Sequence, residues 1–244
     1  MAVVTNLKKN LKIHVIGSSA ASNFANLPDD VSWPNLLKRD LGETAEVSVT
    51  IRGAMTPVRC IEELLNVGEC DLLILHLGTS VGWPVPLAAL NQRLGIDFEA
   101  EHGLHQPAFR SKNFKRRVSG FLKAKVRNFV KYVLFFTGCY KPRVNVSELK
   151  EQVHAVLTLA HQKAPRVIWI QHRALHNRRI ILERAVYSRF YKRIIEAVRE
   201  QESQDLTLIT EDGSFLVPEN YLLDYVHLSE RGHREIFNRV RQII

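Results

Sequence analysis

The stretch His14–Ser22, HVIGSSAAS, is a short apolar run that breaks at Gly17 into small polar residues. Extended back to Lys12 it reads KIHVI, nearly continuous in hydrophobicity, as expected of a parallel strand covered on both faces. Gly17-Ser18-Ser19 then reads in two ways. Gly and Ser are ordinary turn residues, so the segment is a plain turn after a strand or a place where a serine is presented for chemistry. The choice rests on what the rest of the chain supplies.

Four more runs share the character of the first: AEVSVTI (Ala45–Ile51), LLILHL (Leu72–Leu77), RVIWIQ (Arg166–Gln171) and LTLIT (Leu206–Thr210). Helical patterns lie between them. SWPNLLKRDLG carries a Ser cap, a Pro in the first turn and a closing Gly, and TPVRCIEELLNVG repeats that order with Thr56, Pro57 and Gly68. SELKEQVHAVLTLAHQKA and LERAVYSRFYKRIIEAVRE place apolar residues at three- and four-residue spacing, and a last helix follows Ser229. Alternating strands and helices predict a doubly wound α/β domain, a mostly parallel five-stranded sheet between two helical layers. The whole chain, 1–244, reads as one domain with an insertion at about 81–145.

At 244 residues and 45% hydrophobic content the chain is long enough to bury a substantial core. No run approaches the length of a membrane span, and the first residues lack a signal-peptide pattern. Cys60, Cys70 and Cys139 are few, odd in number and not in metal spacing, which fits a reducing, cytoplasmic setting. Charge is uneven. His102–Ser147 holds 11 Lys or Arg and no acid; removing those from the 34 basic residues leaves 23 against 25 acidic ones. The formal charge of +9 therefore belongs to one segment.

That segment contains SGFLKAKVRNFVKYVLFF, an amphipathic helix pattern. Leu122, Val126, Phe129, Val133 and Phe136 share one face, with Lys123, Lys125, Arg127 and Lys131 mainly on the other. Its apolar face is expected either to pack on the body while the lysines are solvated, or to meet an anionic partner. A membrane surface or an acidic glycan would contact the 110–143 stretch in the second case. No nucleic-acid-binding module surrounds it, so nucleic acid is not the expected partner.

Ligands of an open parallel sheet bind beyond the carboxyl ends of its strands. Gly17-Ser18-Ser19, Gly53 and LGTS (Leu77–Ser80) fall at such ends, and LLDYVHLSERGH precedes the last helix. A serine hydroxyl becomes a nucleophile when an imidazole accepts its proton, and that imidazole needs a group to fix its tautomer. Asp224 and His227, two residues apart, can supply both functions from one turn, while His172 and His176 are available as alternative bases. Read singly, Asp224 is equally a helix cap and His227 a half-buried structural histidine. No His, Cys or carboxylate spacing suggests a metal site, and no Gly-rich phosphate loop is present; no cofactor is expected.

Taken in order, these residues resemble the SGNH/GDSL hydrolase family over most of the chain outside the basic insertion. IHVIGSSA resembles the first block, Gly-Asp-Ser, with Ser18 in the Asp place and Ser19 as nucleophile. Gly53 matches the glycine of the second block, and DYVHLSERGH closely matches the last, Asp-x-x-His. The resemblance implies a flavodoxin-like three-layer α/β/α sandwich and a serine esterase in which Asp224 orients His227. It further implies an oxyanion held by the N–H groups of Ser19 and Gly53, with Ser80 as a third donor. Family substrates include acetyl groups on carbohydrates, lysophospholipids and other acyl esters, and the layout is most like bacterial members of surface polysaccharide pathways. One departure stands out: the third block is normally Gly-x-Asn-Asp, and here it reads Gly78-Thr79-Ser80-Val81. That change leaves open a catalytically impaired glycan-binding or assembly protein, and an O-acyltransferase that excludes water from the same site.

Overall fold

The computed structural model describes residues 10–22, 29–53, 55–78, 144–173, 181–201, 203–222 and 227–244, with positions 129, 133, 136, 137, 139 and 142. Five strands form one sheet: β1 (Leu11–Gly17), β2 (Ala45–Ile51), β3 (Leu72–Leu77), β4 (Val167–Gln171) and β5 (Leu206–Thr210). Every pairing is parallel and the spatial order is β2-β1-β3-β4-β5. Three of the five strands have the bounds expected from sequence. β1 extends one residue at each end, and β4 starts one residue later than expected.

Burial follows position in the sheet. Every residue of β3 and β4 is buried, whereas the edge strand β2 leaves Val49 exposed. Alternate side chains of each strand enter opposite layers, as the two-residue period of a strand requires. One layer packs Leu73, Leu75 and Trp169 against α2 (Pro57–Asn66), α3 (Val146–Lys163) and α4 (Ile181–Arg199). The other packs Val15, Ile74 and Ile168 against α1 (Trp33–Leu41) and α5 (Glu230–Arg241). Each fully buried Leu, Ile or Val contributes about 1.5–3 kcal/mol relative to an exposed one, so this two-faced burial dominates the stability of the sheet.

Helix boundaries follow their caps, with two departures. Thr56 accepts from the Arg59 N–H and Ser229 from the Gly232 N–H, each satisfying a first-turn donor. Gly42 ends α1 at φ +51, a conformation that disfavours any side chain. Ser32, however, holds the N-cap place of α1 without a side-chain bond, and α2 stops at Asn66 with Val67 as its cap, short of Gly68.

The expected helix within the insertion lies mostly outside the described residues. Phe129, Val133 and Phe136 are helical and 67%, 43% and 77% exposed. Of the two expectations for this stripe, exposure at these three positions is at odds with burial against the body.

Gly232 sits where α5 crosses the backbone of Asn220. A Cβ there would overlap the Asn220 carbonyl oxygen and approach Leu228 Cβ at 3.3 Å. Backbone cannot rotate away as a side chain can, so Gly232→Ala is expected to cost at least the upper end of the about 1–3 kcal/mol typical of overpacking. Urea denaturation of the variant measures it.

Candidate active site

The order β2-β1-β3 means that the chain turns from one side of β1 to the other, creating a crevice at the carboxyl ends of β1 and β3. Ser18 and Ser19 leave β1 at that crevice. The Ser18 N–H donates to the His76 carbonyl at 2.9 Å, extending the β1–β3 pairing by one residue. The chain then coils into a 3-10 turn, Ser19–Ala21, capped by Ser18, whose Oγ accepts from the Ala20 N–H at 3.3 Å. The Ser22 hydroxyl donates to the Ser19 carbonyl at 2.8 Å and closes the turn. Glycines admit this arrangement: a Cβ on Gly17 would lie 2.5 Å from Ala21 Cβ, and one on Gly78 would lie 2.9 Å from Ser18 Oγ.

His227 comes from the other end of the chain. Its carbonyl accepts from the Leu222 N–H at 2.8 Å, and Tyr221 and Leu228 form an antiparallel bridge. The Ser229 N–H donates to the Asn220 carbonyl at 3.0 Å. This short pairing holds the buried His227 ring with Nε2 3.1 Å from Ser19 Oγ, across 208 residues of sequence. At that distance an imidazole can take a hydroxyl proton.

Gly53 follows β2, which is paired with β1, and its carbonyl accepts from Arg59 Nη1 at 3.2 Å. The N–H groups of Ser19 and Gly53 donate to no acceptor among the described residues. Ser80, Asp224 and His176 lie outside the described residues.

His172 occupies a place different from that of an alternative base. Buried at the end of β4, its Nδ1 is 2.7 Å from Glu211 Oε2. Glu211 follows β5 and is fully buried, accepting from the Arg173 N–H at 3.1 Å and facing His76 Nε2 at 3.4 Å. Burial pushes the Glu211 carboxyl up, but the His172 ring and the donors of His172 and His76 outweigh it and hold it at about 2. His76 is lowered by burial, and His233, buried beside the same cluster, is held at about 3, chiefly by burial and next by the neighbouring His76.

His76, His172 and Glu211 offer three ligand atoms within 4.8 Å of one another. Their proton order opposes a cation. Trp33 Nε1–H donates to His76 Nδ1 at 2.9 Å, and an indole nitrogen is a donor only. His76 Nδ1 is therefore unprotonated and the ring proton sits on Nε2, the atom a metal would need. The cluster fits a hydrogen-bonded network around one carboxylate better than a metal centre.

None of the network residues other than His172 stands out in the sequence. His76 interrupts the apolar run LLILHL and Glu211 is one acid after a strand, each bland alone. Only the sheet register brings them together.

Several solved structures share this architecture. An acetyl xylan esterase superposes with a TM-score of 0.58 at 14% identity, over 96% of this chain and 100% of that one. A lipolytic protein of the G-D-S-L family from Veillonella parvula gives 0.54 at 9% identity, over 96% and 97%. An acetylxylan esterase from Geobacillus stearothermophilus gives 0.53 at 11% identity, over 93% and 91%. No family model matches the chain, and no curated protein matches it in sequence. The fold is that of the SGNH/GDSL hydrolases.

Because His76 and His233 are lowered in the fold, they stay neutral where the unfolded chain takes up protons. Stability is therefore full above about pH 6.5 and falls as pH drops towards 3. Glu211, lowered to about 2 from 4.5, adds a loss of the same sign below about pH 4.5. The urea midpoint is expected to fall between pH 7 and pH 4. His233→Asn, which keeps an acceptor near the Nδ1 position but cannot be protonated, should flatten the upper part of that fall.

Proposed function

We propose that this protein is a serine ester hydrolase acting through Ser19, His227 and Asp224. The observation that carries the reading is the 3.1 Å approach of His227 Nε2 to Ser19 Oγ. Its setting in the crevice of an SGNH/GDSL fold supports it, as do neighbours that are esterases and lipases.

In this mechanism Ser19 Oγ attacks the ester carbonyl as its proton passes to His227 Nε2. The carbonyl oxygen gains the charge and is held by the Ser19 and Gly53 N–H groups, with the Ser80 hydroxyl as third donor. Protonated His227 then gives its proton to the departing alcohol oxygen, leaving an acyl group on Ser19. A water molecule repeats the sequence: His227 takes its proton, the acyl–Oγ bond breaks, and Oγ is reprotonated as the acid leaves. Asp224 fixes the His227 tautomer and stabilises the cation. No cofactor enters any step.

The substrate class we favour is an O-acetyl or other O-acyl group on a saccharide or glycan precursor, as the two neighbouring acetylxylan esterases suggest. The second reading is a catalytically impaired relative that binds such a glycan, favoured by Ser80 standing where the family carries Asn. Losing one oxyanion donor costs roughly 3–4 kcal/mol of transition-state stabilisation.

A fluorophosphonate probe separates the two. The wild type should be labelled and Ser19→Ala should not, while His227→Ala should lower kcat for p-nitrophenyl acetate at least about a thousandfold. Ser80→Asn should raise kcat by up to about a hundredfold. An unlabelled wild type would favour the binding protein.

The basic segment supplies a further element of the reading. Exposed Phe129, Val133 and Phe136 beside lysines and arginines suit the surface of an anionic bilayer. Vesicles with anionic lipid should retain the protein at low ionic strength and release it in about 1 M salt, where the screening length is about 3 Å. Charge reversal at Arg116, Arg117 and Lys123 should weaken retention; a wild type that stays in solution at low salt removes the idea.

A further inference from the structure

Two arms of polar contacts run from Glu211 to the two halves of the proposed dyad. In the first, Trp33 is the central member and supplies two donors. Its Nε1–H donates to His76 Nδ1 at 2.9 Å and its backbone N–H to His233 Nδ1 at 3.4 Å. Both Nδ1 atoms must therefore be unprotonated, and each ring carries its proton on Nε2. His76 Nε2 lies 3.4 Å from Glu211 Oε1, and the His233 ring lies by the backbone of Ser22 at the end of the nucleophile turn. His76 also holds the start of that turn through its carbonyl.

The second arm leaves from Oε2, which accepts the Arg173 N–H at 3.1 Å. The Arg173 carbonyl accepts the Tyr221 hydroxyl at 2.8 Å, and the same hydroxyl is 3.5 Å from Oε2. Tyr221 pairs with Leu228, and its neighbour Leu222 binds the His227 carbonyl. One buried carboxylate thus touches the supports of both Ser19 and His227.

We infer that Glu211 is a positioning residue for the Ser19–His227 pair, setting the proton order beneath the nucleophile turn and bracing the loop that carries the base. The inference rests on the ester-hydrolase reading above.

The isosteric amide exposes the requirement. Gln at position 211 can keep an acceptor at the Oε2 place, where the Arg173 N–H and the His172 ring converge, only by turning its NH2 towards His76 Nε2–H. Two donors then meet. His76 escapes by moving its proton to Nδ1, which opposes the Trp33 indole N–H instead. The conflict passes along the first arm to the turn that carries Ser19 with almost no change of volume.

The test compares wild type, Glu211→Gln and Tyr221→Phe on p-nitrophenyl acetate and a fluorophosphonate probe, with imidazole 1H–15N spectra recorded alongside. Glu211→Gln is expected to lower kcat on the order of a hundredfold, the scale of a small displacement of reacting groups. KM should stay within about twofold, and the His76 signals should leave the Nε2–H pattern. A residue that only stabilises the fold would lower the melting temperature without that split. Tyr221→Phe, which cuts the second arm alone, should lower kcat less and leave His76 unchanged. A glutamine variant with wild-type kcat overturns the inference; if that variant does not fold, wild-type kcat in Tyr221→Phe overturns it. A wild type that neither turns over the ester nor takes the probe removes the hydrolase reading itself. Equal labelling of wild type and glutamine variant removes only the role of Glu211.

Discussion

The hydrogen bond from the Ser18 N–H to the His76 carbonyl is where the sheet ends and the site begins. It carries the β1–β3 pairing one residue past Gly17 and so fixes where the chain departs from the strand. Everything after it is local: Ser18 caps the turn, Ser22 closes it, and Ser19 stands at its first position. The bond requires β1 and β3 to be neighbours, which the crossover order supplies. It also requires that neither Gly17 nor Gly78 carry a side chain, since a Cβ on either would strike the turn. Two glycines in different strands thus serve one close approach.

The buried polar groups under this turn have a common logic. A carboxylate removed from water is costly unless polar groups of opposite sign surround it; Glu211 Oε2 accepts from the Arg173 N–H, and His172 Nδ1 and His76 Nε2 lie 2.7 and 3.4 Å from its oxygens. His76 and His233 are meanwhile kept neutral by burial and by accepting from Trp33. Charge is confined to the Glu211 end of the network, while the rings nearer the Ser18–Ser22 turn carry none.

Much of this is legible in the amino-acid sequence. The five strands stood out because parallel strands covered on both faces leave near-continuous apolar runs, and the helices because Thr56, Pro57 and Ser229 mark their starts. Ser19 and His227 were legible as a pair only through the resemblance of two distant blocks, since each alone is an ordinary turn or core residue. Glu211, His76, Trp33 and His233 were not legible, because their meaning lies in contacts between elements and no spacing along the chain encodes them. His172 reads as an available base for the same reason: position after β4 says that a side chain is near the crevice, and only packing says that it is committed to Glu211. Conversely, the amphipathic pattern around Phe129 shows an apolar face without showing what covers it.

The departure at Ser18 follows from the same packing. An acid at this position in the family's first block and the serine here can both accept from a turn N–H, and the hydroxyl does so at 3.3 Å from the Ala20 nitrogen. What differs is charge. Ser18 is 3% exposed, its Oγ is packed against Gly78, and its backbone is bonded to His76. A second carboxylate there would be buried one backbone hydrogen bond from His76, whose ring already faces Glu211. A neutral cap performs the geometric task without asking the network for another donor. The serine at position 18 and Glu211 after β5 are therefore compatible parts of one arrangement, in which the buried carboxylate found among the described residues sits beneath the Ser18–Ser22 turn rather than in it.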